Sequence, residues 1–432
     1  MCGIVGIYNF DKNECVLDEL LEMMNKLQHR GKDSYGISLK QFKKEDIQSF
    51  RKKGMVDDIY FEDPRDTIIS SVGHLKYRTS NMSETCEDNI QPIVNNNISV
   101  SHNGNVPNIK GFDTQHIFDL IVNYNGSFKN SLINLIETIP AAYSLLIQKD
   151  NSIYLLKDRY GIRPLSYGFK KNNIHISSET IGLTGCNNIE EIESGQIIEI
   201  DKKGIREIYR HQNTCDNLCA FEFIYFMNPY SFYKDILIKS VRERLVNRLV
   251  EKEISIFSKD YIVVGVPNSG IIYGEEYSNL LSLNYEQIIM KNTDERTFIS
   301  PNIKEIQKTC HKKFKYDKTR INGNKIIIID DTIVRGNVMK YICSSLRECG
   351  AKEIHIRIPS PPVIDICQLG IPINTKEELI MFNKTETEVC SILGVNSLIF
   401  LEKEDLNTIP FNTYQECFGG GIKEEISSYM KC

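Results

Sequence analysis

The chain has 432 residues, 41% hydrophobic and 25% charged, with a formal net charge of −5. That is globular composition with enough apolar surface for two or three domains; without a long basic run nucleic acid is not an expected partner, and no stretch nears the ~20 apolar residues of a membrane span. The 13 cysteines are scattered and odd in number, which fits free thiols in a reducing, cytoplasmic compartment better than a disulfide framework.

The chain opens "MCGIVGIYNF". This reads as a β-like run with Cys2 at its head, too short and without the basic lead-in or cleavage site of a signal peptide. Cys2 serves there either as an apolar strand residue or, once Met1 is removed, as a thiol and a free α-amine on one residue. Next, "VLDELLEMMNKLQHRG" carries Leu17, Leu20, Leu21, Met24 and Leu27 at helical spacing, with Asp18 and Glu19 near its start and Gly31 as a stop. "QFKKEDIQSFRKKG" reads as a solvated face or loop. Short β-like runs follow: "TIISSVGHL", "ISVSH", "AAYSLLIQ", "SIYLLK", "NIHISS" and "QIIEI". This is an α+β pattern with many antiparallel strands.

The pattern changes near residue 216. "DILIKSVRERLVNRLVEKE" predicts a long amphipathic helix, and the apolar runs "YIVVGVP", "KIIIID" and "EIHIRI" then alternate with helices. Continuous apolar strands of this kind predict a parallel sheet buried on both faces. The boundary falls in "HQNTCDN", dividing the chain into 1–215 and 216–432.

Within "KIIIIDDTIVRGNVMKYICSSLRECG", a strand ends at Asp330 and Asp331, and a short loop with Gly336 leads into a helix. Such a loop presents N–H groups and a helix start to an anion, and paired acids suit ribose hydroxyls or hydrated Mg²⁺. The alternative is a polar turn in an α/β sheet. In the first half, "SHNGN" contains an Asn-Gly pair, ordinarily a hairpin turn and otherwise a source of amide donors for an oxyanion. His29, His74 and His102 show no metal-like spacing and are expected to make structural hydrogen bonds.

Taken together, "CGIVGI", "LQHRGKDSYGI", "GHLKYRTS", "SHNGN", "KDRYGIRPL", "FEFIYFMNP", "VPNSG", "RTFISP", "IIIIDDTIVRG" and "GAKEIHIRIPSPP" resemble, in order and over nearly the whole chain, the glutamine phosphoribosylpyrophosphate amidotransferases. The resemblance implies an N-terminal-nucleophile glutaminase with stacked β-sheets between helical layers (αββα), followed by an α/β type I phosphoribosyltransferase with a parallel sheet. It implies that Cys2 is the nucleophile, with its own α-amine as base. It makes Asn103 and Gly104 the oxyanion donors and places Lys76, Thr79, Asp113 and Arg30 around glutamine. The phosphosugar would meet Asn268, Ser269, Gly270, Lys291, Asp330, Asp331, Arg335, Gly336 and Asn337, with Asp330 and Asp331 holding Mg²⁺ together with the substrate. Homo-oligomers are implied as well.

The departures from the family pattern bear on function. The family's arginine in "GHxRY" is Lys76 here, a point charge in place of a bidentate fork; Arg78 shares its face if the segment is extended. Two phosphate-loop threonines become Asn337 and Val338, and the acid of "VPDSG" becomes Asn268. The flap reads "KNTDERTF", one residue short, with Asp294 and Glu295 gained beside a leaving group that is itself anionic. Some members carry a [4Fe–4S] cluster on four cysteines. Cys219, Cys367 and Cys417 match three of them, and Tyr414 stands at the fourth, which weighs against an intact cluster. The expected reaction is ammonia transfer from glutamine to C1 of phosphoribosyl pyrophosphate, the first step of purine synthesis. The alternatives are delivery to a different acceptor and a non-catalytic nucleotide-binding regulator.

Overall fold

The computed structural model describes residues 2–10, 16–56, 67–77, 89–109, 111–253, 257–292, 313–369, 373, 375–421 and 424–431. The first half is built on two antiparallel sheets. One has seven strands, in the order Asn187–Glu191, Ser166–Lys170, Asn173–Ser177, Cys2–Tyr8, Ile68–Lys76, Ser34–Gln41 and Gln48–Lys53. The other has six, in the order Gly204–Arg210, Gln196–Asp201, Ser152–Lys157, Ala142–Lys149, Ile98–Asn105 and Ile93–Asn95.

Period-two alternation decides which side chains lie between the sheets. Ile4 and Tyr8 join Val72, Leu146, Leu155, Ile176 and Ile198 in the inter-sheet core. Val5 and Ile7, of the opposite parity, pack with Leu20, Met24 and Tyr35 under the helix Leu17–Lys26. The outer face of the second sheet is covered by the helices Asp113–Val122 and Phe128–Thr138, through Ile117, Leu132 and Leu135 against Val100, Leu145 and Leu156. The layers therefore run helix, sheet, sheet, helix, as expected. All six β-like runs read from the sequence are strands. The charged "QFKKEDIQSFRKKG" ends in the edge strand Gln48–Lys53, which is mostly exposed.

The second half carries a five-stranded, wholly parallel sheet in the order Asn284–Tyr285, Tyr261–Gly265, Lys325–Ile329, Glu353–Ile358 and Ser397–Phe400. Its central strands Tyr261–Gly265 and Lys325–Ile329 are almost wholly apolar because both faces are covered. Val263, Ile327 and Ile329 pack on Val241, Leu245, Tyr273 and Tyr277 from the helices Ile238–Glu251 and Ser269–Leu281. Ile326, Ile328, Ile354 and Ile356 pack on Ile342 and Leu346 of Asn337–Glu348 and on Val389 and Leu393 of Glu386–Leu393. A hairpin of Ile289–Lys291 and Phe314–Tyr316 stands beside this sheet.

Candidate active sites

Cys2 has the parity of Ile4, at the open end of the inter-sheet space, and pairs with Lys76 on the neighbouring strand. It is a free, partly exposed cysteine. Its backbone N–H donates to Asn103 Oδ1 at 3.1 Å. Asn103 is fully buried, and its Nδ2 has no partner among the described residues. An amide donor buried beside a thiol and left unpaired costs free energy unless a ligand oxygen satisfies it. Asn103 and Gly104 do not form a turn, contrary to the ordinary reading of Asn-Gly. They lie inside the strand Ile98–Asn105, opposite Ser144 and Tyr143. Glycine is required at 104 because a Cβ there would sit 1.9 Å from Ala142 O.

The three histidines make structural bonds. His29 Nε2 meets Glu179 at 2.9 Å, His74 Nε2 meets His102 O at 3.3 Å, and His102 Nδ1 meets Thr114 Oγ1 at 3.3 Å. Burial, reinforced by Lys76, pushes His74 down to about 3, so it is neutral.

Lys76 is buried; its Nζ donates to Asn89 O at 2.8 Å and lies 4.7 Å from the Phe112 ring centroid. Burial lowers its pKa, opposed by Cys2, Asp113 and Asp33. Asp113 opens the helix Asp113–Val122, where Thr114 N–H donates to its Oδ1 at 2.8 Å. Burial raises its carboxyl, but His102, 3.6 Å away, and the Val106 and Thr114 N–H groups outweigh that and hold it below the usual range. Lys76 is thus a charge neighbour of both Cys2 and Asp113. Thr79 and Arg78 lie outside the described residues.

Arg30 occupies a different place from the one the resemblance suggested. It is 1% exposed, its Nε donates to Cys2 O at 2.9 Å, and its guanidinium is ion-paired with Glu179 and Glu222. It holds the backbone of Cys2 rather than presenting a charge to the substrate space. Arg163 is ion-paired with the same Glu222 at 3.2 Å. Sequence reasoning missed Glu179, Glu222 and Arg163. The available signal was Glu222 alone among aromatic residues in "CAFEFIYF", since a carboxylate in a buried run must be paired.

In the second half, Asp330 and Asp331 follow the strand Lys325–Ile329 at its carboxyl end, where α/β sheets bind ligands. Asp331 N–H donates to Asp330 Oδ1 at 3.0 Å. Burial raises both carboxyls, and the Asp331 carboxylate raises Asp330 further; a hydrogen bond from Ser269 opposes the rise at Asp331. Ser269 and Gly270 begin the helix Ser269–Leu281 and Asn268 precedes it, so this loop lies against the acids: a Cβ on Gly270 would meet Ile329 O at 2.3 Å. The loop of Arg335 and Gly336 leads into Asn337–Glu348. Gly336 has φ of +74°, and a Cβ there would strike Ile380 at 2.2 Å. Arg335 is ion-paired with Glu378, Asn337 is exposed and Val338 packs against the apolar core. Lys291 ends a hairpin strand and is exposed; its pKa is lowered by partial desolvation, with Lys32 and Lys313 nearby. The flap acids Asp294 and Glu295 lie outside the described residues. Tyr225, 44% exposed, and Arg242 both interact electrostatically with Asp331; sequence reasoning missed both.

Cys219, Cys367, Cys417 and Tyr414 share one apolar cluster, with Cys219 paired to Tyr414 in a short parallel ladder.

The phosphoribosyl transferase domain family matches residues 233–359. The chain is 31% identical to the amidophosphoribosyltransferase of Methanocaldococcus jannaschii over 450 residues, spanning 94% of this chain and 93% of that one. It is 32% identical to the human amidophosphoribosyltransferase, over 88% and 82% of the two chains. Its structure is similar to the glutamine phosphoribosylpyrophosphate amidotransferase of Bacillus subtilis, with a TM-score of 0.85 at 27% identity over 97% of each chain. By sequence and by structure, this chain belongs to the amidophosphoribosyltransferase family.

Proposed function

We propose that this chain hydrolyses glutamine at Cys2 and passes the ammonia to C1 of phosphoribosyl pyrophosphate, releasing glutamate, pyrophosphate and 5-phosphoribosylamine, the first step of purine synthesis. The observation that carries this reading is Asn103, whose Oδ1 accepts from Cys2 N–H while its buried Nδ2 is left without a partner. After removal of Met1, the α-amine of Cys2 takes the thiol proton and the thiolate attacks the glutamine amide carbon. The Nδ2 of Asn103 and the N–H of Gly104 receive the developing oxyanion. Lys76 takes the glutamine α-carboxylate, Asp113 takes the α-amine, and Thr79 belongs to the same set. Arg30 orients the nucleophile through the Cys2 carbonyl.

In the second half, Asn268, Ser269, Gly270 and Lys291 take the pyrophosphate end, and Arg335, Gly336 and Asn337 take the 5′-phosphate. The adjacent acids Asp330 and Asp331, at the carboxyl end of the strand Lys325–Ile329, suit the ribose hydroxyls and a Mg²⁺ brought with the substrate. Such an ion would neutralise the leaving pyrophosphate. The glutaminase unit is residues 1–215 and the transferase unit 216–432. The protein is cytoplasmic and works as a homo-oligomer.

A second reading, delivery of ammonia to another acceptor, is motivated by Val338, which turns toward the apolar core where a hydroxyl would serve a phosphate. Incubation with glutamine, with and without phosphoribosyl pyrophosphate and Mg²⁺, separates the two. Glutamate release stimulated by the phosphosugar, with pyrophosphate appearing, is the expected result. Glutamate without pyrophosphate would favour the other acceptor. Full glutaminase activity in Cys2→Ala, or an active protein still bearing Met1, would overturn the mechanism.

A further inference from the structure

The [4Fe–4S] cluster of some family members needs four thiolates around one space. In this chain the residues at that place do not fit it. Cys219, Cys367 and Cys417 are present and buried, but the fourth corner is Tyr414, whose hydroxyl donates to Glu416 Oε2 at 2.7 Å. The same carboxylate receives Gln368 N–H at 2.9 Å and a hydrogen bond from the Cys367 thiol. One of the three thiols is therefore already engaged, and a carboxylate stands beside the space where a negatively charged cluster would lie. Among the described residues no group of three potential ligands is arranged to hold a metal ion.

This constellation lies at a joint. Glu416 and Tyr414 belong to the C-terminal segment, tied to the chain near residue 219 by the Leu218–Cys219 and Thr413–Tyr414 ladder. Gln368, bonded to Glu416, offers its carbonyl to Asn105 Nδ2 at 2.6 Å, two residues beyond Asn103. Leu369, the next residue, offers its carbonyl to Arg163 at 3.2 Å, and Arg163 is paired with Glu222.

We propose that in this chain a side-chain staple, Tyr414–Glu416–Cys367 with the backbone of Gln368, replaces the metal cluster and joins the C-terminal segment to the glutaminase sheet, so that the protein folds and works without iron and without sensitivity to dioxygen. The inference goes beyond the catalytic reading and is tested by iron, not by turnover, so the two fail separately.

The protein is produced anaerobically with iron in excess, treated with ferrous iron and sulfide, desalted, and assayed for iron, acid-labile sulfide and visible absorption. The wild-type chain is expected to retain neither iron nor sulfide; about four of each per chain, with cluster absorption, would overturn the proposal. The double variant Tyr414→Cys, Glu416→Gln restores the fourth thiol and removes the carboxylate, and is expected to take up iron and sulfide. If it remains iron-free while its far-ultraviolet circular dichroism matches the wild type, Tyr414 and Glu416 are not what closes the site. Tyr414→Phe keeps the packing and loses one buried bond to a carboxylate, which should lower the melting temperature by roughly 2–3 °C; an unchanged melting temperature would refute the staple.

Discussion

Replacing Asn103 by Ala tests whether its amide acts on the reaction or only on the fold. The structure separates the two. On the folding side, Asn103 contributes one hydrogen bond, from Cys2 N–H at 3.1 Å, while Nδ2 donates to nothing among the described residues. Truncation should therefore cost about 1 kcal/mol for the lost bond, plus a similar amount for the small void. On the catalytic side, removing one preorganised donor to an oxyanion costs about 2.7–4 kcal/mol, or ~10²–10³ in turnover.

The assay is glutamate release from glutamine beside pyrophosphate release driven by ammonium in place of glutamine. Asn103→Ala should lose glutamate release by ~10²-fold or more and keep the ammonium-driven reaction. Asn103→Asp is the discriminating companion. It keeps an oxygen for the Cys2 N–H but brings no amide donor, so it should not rescue. Glutamate release near the wild-type level in Asn103→Ala, or its recovery in Asn103→Asp, would refute the assignment of Nδ2 to the oxyanion.

Lys76→Ala removes the cation expected to meet the glutamine carboxylate; KM for glutamine should rise by ~10–100-fold with the ammonium-driven rate unchanged, as initial-rate kinetics would show. Arg30→Met leaves Glu179 and Glu222 short of one buried cation and frees the Cys2 carbonyl, so a loss of about 3–5 kcal/mol in stability is expected, read as a fall in unfolding midpoint together with lost glutaminase activity. Glu191 is partly buried, and burial raises its carboxyl to about 7 against the opposing charge of Lys157. An acid raised above its unfolded value of about 4.3 stabilises when protonated, so its penalty is absent below that value, grows as pH rises, and is complete above about 7. Glu191→Gln should therefore stabilise the protein by about 1–2 kcal/mol at alkaline pH and leave it almost unchanged in mild acid, as thermal melts across pH would reveal.

Alternation and apolar runs made much of the fold legible. Ile4 and Tyr8 against Val5 and Ile7 announce a strand buried on both faces between a sheet and a helix, and the isoleucines of Lys325–Ile329 announce a parallel strand. Strands with polar or irregular sequences escaped, such as Asn187–Glu191, whose side chains are largely exposed and whose pairing shifts register. Cys2 and Asn103, distant in sequence, meet through one hydrogen bond, and Lys76 is a charge neighbour of both Cys2 and Asp113. The turn reading of Asn103-Gly104 failed because a two-residue signal does not register the flanking strand pairing with Ala142–Lys149. Arg30 was misplaced for a related reason. Its partners Glu179 and Glu222 are more than a hundred residues away in sequence, and no local pattern names the carboxylate that will claim a buried guanidinium.

Those long-range pairs also decide how the two halves meet. The sequence pattern changes near residue 216, yet the packing does not part there. Glu222, just beyond, is fully buried and binds both Arg30 and Arg163 of the preceding half. The backbone that follows it is gripped from the other side, where Arg242 donates to the carbonyls of Phe223, Tyr225 and Met227, and Tyr273 donates to Ile224 O. Arg242 is in turn a charge neighbour of Asp331. The segment Glu222–Met227 is thus held at one end by the residue that positions Cys2 and at the other by the residue facing the paired acids. Removing one partner of a buried ion pair leaves an uncompensated charge, so neither half could shed its neighbour and keep Glu222 satisfied. Both halves are therefore expected to unfold together in the wild type, and Glu222→Gln, which relaxes the charge requirement while keeping the shape, should let the two transitions separate in calorimetry.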